Sequence, residues 1–241
     1  MVINVVTLFP DFLETAVQTG ILGRAIRNQV VEYRFVNPRD FAKDRHGTID
    51  DAPYGGAAGM ILMVEPLVKA IESIQEKSDH PGHPVIFLSP RGRPYKQETA
   101  QRLSREAEIT LLCGRYKGID ERVRDLVISE EISLGDYILT GGEPAAAAVI
   151  DSVVRLLPDV MGDLESAETD SFGEDKMGLL DWPHYTRPEE FRGLTVPKLL
   201  LSGNHAKIKE WRKEQSRLLT EEHRPDLLPS LNHEDPDEPG L

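Results

Sequence analysis

The chain has 241 residues, of which 39% are hydrophobic and 29% charged, and a formal net charge of −13. This length allows one large or two modest domains with buried cores, and the composition is typical of a soluble globular protein. No apolar run reaches the roughly 20 residues that a membrane-spanning helix needs. The single cysteine, Cys113, excludes an intramolecular disulfide and a cysteine-cluster metal site.

The first 158 residues alternate predicted strands with predicted helices. The N-terminus lacks the basic and small-residue features of a signal peptide, so we expect a cytoplasmic protein whose residues 2–8 form a first buried strand. Further strands are predicted at 31–35, 85–88, 109–112 and 127–134, and helices at 65–74, 98–107, 120–126 and 144–157. This alternation predicts an α/β fold with a mostly parallel sheet and helices on both faces.

The C-terminal third has a different composition. Residues 159–183 are acidic with few apolar positions, which predicts a mobile linker. A small helical domain is predicted at 184–224. Gly203-Asn204 is expected to cap a helix in it. Along this helix a stripe of residues recurs at helical spacing: Ile208, Trp211, Gln215, Leu218 and Leu219. Residues 225–241 are rich in Pro, Asp and Glu, which predicts disorder. The 184–224 segment is basic, so RNA binding stays open despite the acidic total.

Glycine-containing loops follow the predicted strands at 85–88, 109–112 and 127–134. Because the carboxyl ends of parallel strands lie at one edge of a sheet, these loops are expected to meet there. Glycine lets backbone N–H and C=O groups approach a ligand where a Cβ would block them. The sequence therefore predicts a small-molecule pocket built largely from main chain.

Two of these loops, 113–122 and 133–144, are the centre of a resemblance to bacterial tRNA (guanine-N1)-methyltransferases, which are knotted SPOUT-class enzymes. Shorter matching motifs run in order from Leu8-Phe9-Pro10 to Leu201-Ser202-Gly203-Asn204-His205. The resemblance implies methyl transfer from S-adenosylmethionine to N1 of guanine 37, next to the anticodon of tRNA. It also implies a trefoil knot at the end of the methyltransferase domain, a tRNA-binding helical domain, a homodimer and an association with Mg²⁺.

The resemblance also assigns roles to individual positions. It implies that Asp170, in the linker, is the general base and that Arg155 helps to hold the target guanine and that base. The residues that it places around S-adenosylmethionine are Ser89, Pro90, Gly114, Tyr116, Leu134, Gly135, Asp136, Tyr137, Ile138 and Leu139, with Gly141, Gly142 and Pro144 closing the adenine side. Lys117 departs from the family, which usually has glutamate there, and Ala57-Ala58 replaces a more usual Gly-Pro.

The residues by themselves leave other interpretations open. Asp170 is also compatible with one more acid on a solvated linker, and Arg155 with a cation that favours a helix C-terminus. Cys113 is interpreted as a small buried hydrophobe. No histidine pair has the spacing of a zinc site, so no structural metal is predicted.

Three other functions compete with guanine methylation. The first is a knotted methyltransferase that acts on another RNA group, such as a ribose hydroxyl. The second is a catalytically silent RNA- or nucleotide-binding module. The third, a general nucleotide-binding α/β enzyme, is disfavoured because the chain has neither G-x-G-x-x-G after its first strand nor G-x-x-x-x-G-K-[ST].

Overall fold

A computed structural model of the protein describes residues 1–161, 170–172 and 178–228. The chain divides into two compact units, Met1–Gly162 and Asp163–Leu241. Within the described ranges, no helix combines the length and the apolar character needed to cross a membrane.

The first unit is built on a parallel sheet, as the alternating pattern predicts. Its strands in chain order are β1 (Val2–Val6), β2 (Glu32–Val36), β3 (Asp50–Asp51), β4 (Ile61–Leu62), β5 (Val85–Pro94), β6 (Glu108–Cys113) and β7 (Glu130–Ser133). The five longer strands form one sheet in the order β2-β1-β6-β5-β7, and every neighbouring pair is parallel. The short strands β3 and β4 form a separate antiparallel ribbon.

Helices cover both faces of this sheet. They are α1 (Pro10–Val17), α2 (Gly20–Arg27), α3 (Val64–Gln75), α4 (Gln97–Leu103), α5 (Glu121–Val127) and α6 (Glu143–Val154). Ile86 and Leu88 of β5 share one apolar core with α1, α2, α4 and α6, whereas Val85 and Phe87 share the other with α3 and α5. Because alternate strand residues point to opposite faces, a continuous apolar strand supplies both cores.

Several boundaries differ from the predicted ones. The ladder between β5 and β7 breaks between Leu88 and Arg93 and then resumes, so residues 89–92 leave the sheet and the strand returns beyond them. Gly92 permits this return, since a Cβ there would lie 2.3 Å from the Ile132 nitrogen. β7 begins at Glu130 and not at 127, because Val127 is the last residue of α5 and packs against the core below α3.

The second unit contains a hairpin and a long helix. β8 (Glu190–Phe191) and β9 (Leu194–Thr195) pair antiparallel, and α7 spans His205–His223. The predicted N-cap is confirmed, since the Asn204 side chain accepts a hydrogen bond from the Lys207 N–H at 3.2 Å. The predicted stripe lies on this helix, but its Leu218 side chain is 42% exposed. At about 100° per residue, Leu219 and not Leu218 returns to the direction of Ile208.

Hydrogen bonds join Leu180 to α7 within this unit. The Leu180 N–H donates to the Thr220 hydroxyl at 3.0 Å, and the Ser216 hydroxyl donates to the Leu180 carbonyl. The Asp181 N–H donates to the Ser171 hydroxyl at 2.9 Å. The predicted mobile linker falls partly, at 162–169 and 173–177, outside the described residues, as does the predicted disordered tail from residue 229 onward.

Candidate ligand-binding site

A cavity of about 490 Å³ lies at the carboxyl edge of β5, β6 and β7. It is lined by residues 87–90 of β5, where the ladder to β7 breaks, and by the ends of β6 and β7 with the segments that follow them, at 114–118 and 134–142. Ligands of parallel sheets bind at this edge, and the volume falls in the usual range for small-molecule sites. The predicted convergence of the loops is therefore present in the first unit.

Most residues that the resemblance assigns to the methyl donor meet in this cavity. Those that line it are Ser89, Pro90, Gly114, Tyr116, Leu134, Gly135, Tyr137, Ile138, Leu139, Gly141 and Gly142. Two assigned residues, Asp136 and Pro144, do not line it. Asp136 lies beside Gly135, and Pro144 lies in the first turn of α6.

Other lining residues were not singled out from the sequence as ligand contacts. They are Phe87, Leu88, Arg115, Gly118, Ile132, Ser133, Thr140 and Ala145. Lys117, which the resemblance marks as a departure from the family's glutamate, lines the cavity as well. A signal for Arg115 was present, because it precedes Tyr116 in a loop already identified. The contributions of Phe87 and Ile132 depend on strand neighbours and that of Ala145 on the packing of α6, and none of the three had a local signal.

Two glycines let the loops touch through their backbones. The Gly142 N–H donates to the Gly114 carbonyl at 2.9 Å. A Cβ on Gly142 would lie 2.7 Å from the Cys113 Cα, and one on Gly114 would lie 2.9 Å from the Phe87 ring. A larger residue at position 142 would force the two loops apart, and one at position 114 would displace the Phe87 ring that lines the cavity, so the cavity wall depends on both glycines.

A buried polar cluster lies behind this wall. Glu143 is only 3% exposed and accepts a hydrogen bond from the Thr7 hydroxyl at 2.8 Å. Arg115 donates to the Thr140 carbonyl at 2.9 Å, and its guanidinium lies 4.2 Å from the centre of the Phe9 ring. Arg115 Nε and Glu143 Oε2 are 3.7 Å apart, and neither atom has a hydrogen-bond partner among the described residues. The cluster is therefore an ion pair that joins the 114–118 loop to the start of α6.

Cys113 lies next to this cluster and is 2% exposed. Burial raises the pKa of its thiol well above the ordinary value, and the nearby Glu143 carboxylate raises that pKa further. A thiol that stays protonated is a poor nucleophile. This agrees with the interpretation of Cys113 as a buried hydrophobe.

The two predicted catalytic residues are not among the residues that line the cavity. Arg155 is the C-cap of α6, and its N–H donates to the Asp151 carbonyl at 3.2 Å. It stands twelve residues beyond Glu143, which corresponds to about 18 Å along the helix axis. Asp170 is half-buried and belongs to the second unit. Across the described chain, no group of three or more His, Cys, Asp or Glu side chains is arranged to hold a metal ion.

Comparison with known proteins gives one consistent family. The family model described as tRNA (Guanine-1)-methyltransferase TrmD matches residues 1–230. The chain is 50% identical over 228 residues to the tRNA (guanine-N(1)-)-methyltransferase of Exiguobacterium sibiricum, which covers 95% of this chain and 91% of that protein. It is also 50% identical over 228 residues to the Carboxydothermus hydrogenoformans protein of the same name, covering 95% and 87%. The Gloeobacter violaceus protein is 51% identical over 230 residues, covering 95% and 99%.

Proposed function

Because the chain belongs to the tRNA (guanine-1)-methyltransferase TrmD family, we propose that it transfers a methyl group from S-adenosylmethionine to N1 of guanine 37 in tRNA. The observation that carries this proposal is the cavity at the ends of β5, β6 and β7, where glycine loops expose their main chain to a nucleoside-sized space. Methyl transfer from a sulfonium requires chiefly an aligned nucleophile, so catalysis depends on positioning.

The donor occupies this cavity in the proposed complex. The 134–142 segment offers main-chain groups to the adenine edge, and apolar side chains such as Leu88, Ile132 and Ala145 pack against its faces. Gly114 and Gly142 have no side chain, so the main chain approaches the donor most closely at these two residues. The sulfonium methyl then points out of the cavity toward the guanine.

Asp170 serves as the general base. Guanine N1 carries a proton at neutral pH, and a carboxylate within hydrogen-bond reach removes it while the methyl group moves to N1. The C–S bond of the donor breaks, its electron pair stays on sulfur, and S-adenosylhomocysteine leaves as a neutral thioether. The Arg155 guanidinium donates to guanine O6 as negative charge builds there.

We propose a homodimer in which Arg155 of one chain serves the cavity of the other. The length of α6 supports this arrangement, because Arg155 and the cavity lie at opposite ends of that helix. Large apolar side chains also stay exposed on the single chain, since Phe9 is 47%, Phe12 51% and Ile138 84% exposed. Exposed apolar surface of this kind is typical of protein interfaces.

Four further features of the proposal come from the family. The family implies a trefoil knot at the end of the methyltransferase domain, where the 114–118 and 140–142 segments are in contact. The exposed Lys207, Lys209, Arg212 and Lys213 of α7 support tRNA phosphate binding by the second unit. Cytoplasmic localisation follows from the tRNA substrate. The described residues offer no cage for Mg²⁺, and we assign it no step.

The proposal is tested by incubating the protein with labelled S-adenosylmethionine and unmodified tRNA and mapping the methyl group by nuclease digestion and mass spectrometry. We expect label on N1 of guanine 37 only. Label on a ribose hydroxyl would favour the alternative methyltransferase, and a lack of donor binding in calorimetry would favour the silent module.

The role of Asp170 is tested by Asp170→Asn, which keeps the side-chain shape and removes the base. We expect at least about a 100-fold loss in turnover with donor and tRNA affinity retained. Glu189→Gln is the matched control, because Glu189 is an exposed acid of the same unit. Near-normal turnover of Asp170→Asn would refute the assignment.

A further inference from the structure

The charged side chains that line the cavity in the described chain are both cationic. They are Arg115 and Lys117, and the described lining residues include no aspartate or glutamate. The proposed donor carries a positive sulfonium, whereas the product of methyl transfer is neutral at that sulfur. The positive charge of the lining therefore repels the sulfonium of the donor but not the neutral thioether of the product.

The two cations are not equivalent. Arg115 lies 3.7 Å from the buried carboxylate of Glu143, which offsets much of its charge. Lys117 has no ion pair with any carboxylate in the described part of the chain. The uncompensated positive charge at the cavity is thus that of Lys117.

Lys117 is also held at the cavity by its surroundings. Its N–H donates to the Met60 carbonyl at 3.0 Å. Its side-chain stem lies beside Gly59, the residue before Met60, since a Cβ on Gly59 would lie 2.9 Å from the Lys117 Cγ. The Lys117 main chain is therefore tied to Met60 beside the cavity, and its side chain is exposed.

We propose that Lys117 is a specificity-determining residue that makes the cavity prefer the neutral thioether, S-adenosylhomocysteine, over the cationic sulfonium donor. This inference rests on the proposed use of S-adenosylmethionine. Although Lys117 is exposed, like charges repel more strongly near a protein surface than in bulk water. The consequence for the enzyme is tight product retention, so its turnover depends on removal of S-adenosylhomocysteine.

The test is isothermal titration calorimetry of the full chain with three ligands. S-adenosylmethionine and S-adenosylhomocysteine differ by the charged methyl sulfonium. Sinefungin carries an amine in place of that group, so it reports the charge without a transferable methyl. The variants are Lys117→Gln, which removes the charge, Lys117→Glu, which reverses it, and Lys77→Glu, which makes the same change at an exposed position away from the cavity.

We expect the parent chain to bind S-adenosylhomocysteine more tightly than either cation. Lys117→Gln should shift the affinity ratio toward the cations about threefold, and Lys117→Glu about tenfold because it changes the charge twice as much. Lys77→Glu should leave the ratio unchanged.

Two results would overturn the inference, and only one of them would also overturn the proposed function. If all three ligands bind and the ratio is the same in every variant, Lys117 sets no preference while the proposed function stands. If the parent chain binds none of the three ligands, the proposed donor is wrong and the inference falls with it. Thermal unfolding of each variant verifies that the chains compared are folded.

Discussion

At the scale of single residues, the pair Arg115–Glu143 is the contact on which the candidate site most depends. A carboxylate that is 3% exposed is costly to bury unless hydrogen bonds and a counter-charge compensate it. Thr7 supplies the hydrogen bond at 2.8 Å, and Arg115 supplies the charge. Because Arg115 also lines the cavity, removing the negative charge of Glu143 should change the charge that a ligand meets there.

We expect Glu143→Gln to weaken S-adenosylmethionine binding about threefold to tenfold, because the charge of Arg115 is then uncompensated beside the sulfonium. The glutamine oxygen can still accept from Thr7, so the fold should persist. Steady-state kinetics gives kcat and the KM for the donor, and calorimetry gives the donor Kd. The kcat at saturating donor should change less than the KM. Glu98→Gln, at an exposed position in α4, is the control. An unchanged donor Kd in Glu143→Gln would contradict the prediction.

Cys113 provides a second prediction at this scale. Since burial raises its pKa, the folded protein should react with iodoacetamide at pH 8 at least about 100-fold more slowly than a free thiol. Unfolding in urea should restore the ordinary rate. Mass spectrometry of the alkylated protein over time measures both rates, and rapid stoichiometric labelling of the folded chain is the contrary outcome.

At the scale of elements, a polar network joins β1 to β6 at the sheet edge opposite the cavity. Glu108 accepts from the Asn4 amide and from the Ser78 hydroxyl, each at 2.7 Å. His83 and Thr110 form a neighbouring hydrogen bond at 2.8 Å. Burial acts to raise the pKa of Glu108, but the hydrogen bonds from Ser78 and Asn4 outweigh it and lower that pKa.

A depressed folded-state pKa means that ionised Glu108 stabilises the fold above its unfolded pKa. This contribution is lost as the pH falls through the folded-state pKa. We therefore expect Glu108→Gln to reduce the free energy of unfolding by about 1–3 kcal/mol at pH 7, because an amide N–H₂ then faces a donor. The difference from the parent chain should shrink at pH 3. Urea unfolding at both pH values tests this, and an equal difference at each would contradict it.

At the scale of the whole molecule, the position of Arg155 leads to a prediction about assembly. Gly142→Ala should disable the cavity, because the new Cβ would lie 2.7 Å from the Cys113 Cα. Arg155→Ala should disable guanine positioning while leaving the cavity intact. If each site takes its cavity from one chain and Arg155 from the other, a mixed dimer of the two variants has one intact site.

Co-expression of the two variants should therefore restore up to about a quarter of parent activity, since half of the dimers are mixed and each has one working site. Each variant alone should stay near background. Light scattering coupled to size exclusion measures the mass of the assemblies. Gly114→Ala, a second cavity variant, should complement Arg155→Ala in the same way, and mixtures as inactive as the single variants would show that both residues act within one chain.

The strongly patterned elements were predictable because their signals are local. The apolar run of β1, the amphipathic α3 and the Asn204 cap of α7 each depend on residues within a few positions of one another. The helices α1 and α2 had no predicted counterpart, and both are stabilised by packing on the core shared with α6. The early start predicted for β7 was wrong because apolar residues near 127 fit a strand and a helix equally well.

The amino-acid sequence alone determined the α/β class, the family and the glycine loops at the strand ends, because backbone freedom and periodicity are encoded by neighbouring residues. Only the tertiary structure decided that Thr7 and Glu143 join across the chain, and that Arg115 and Lys117 carry the charge of the cavity. The physical reason is that strand order and buried contacts arise from packing between residues far apart in the chain, which no local pattern specifies.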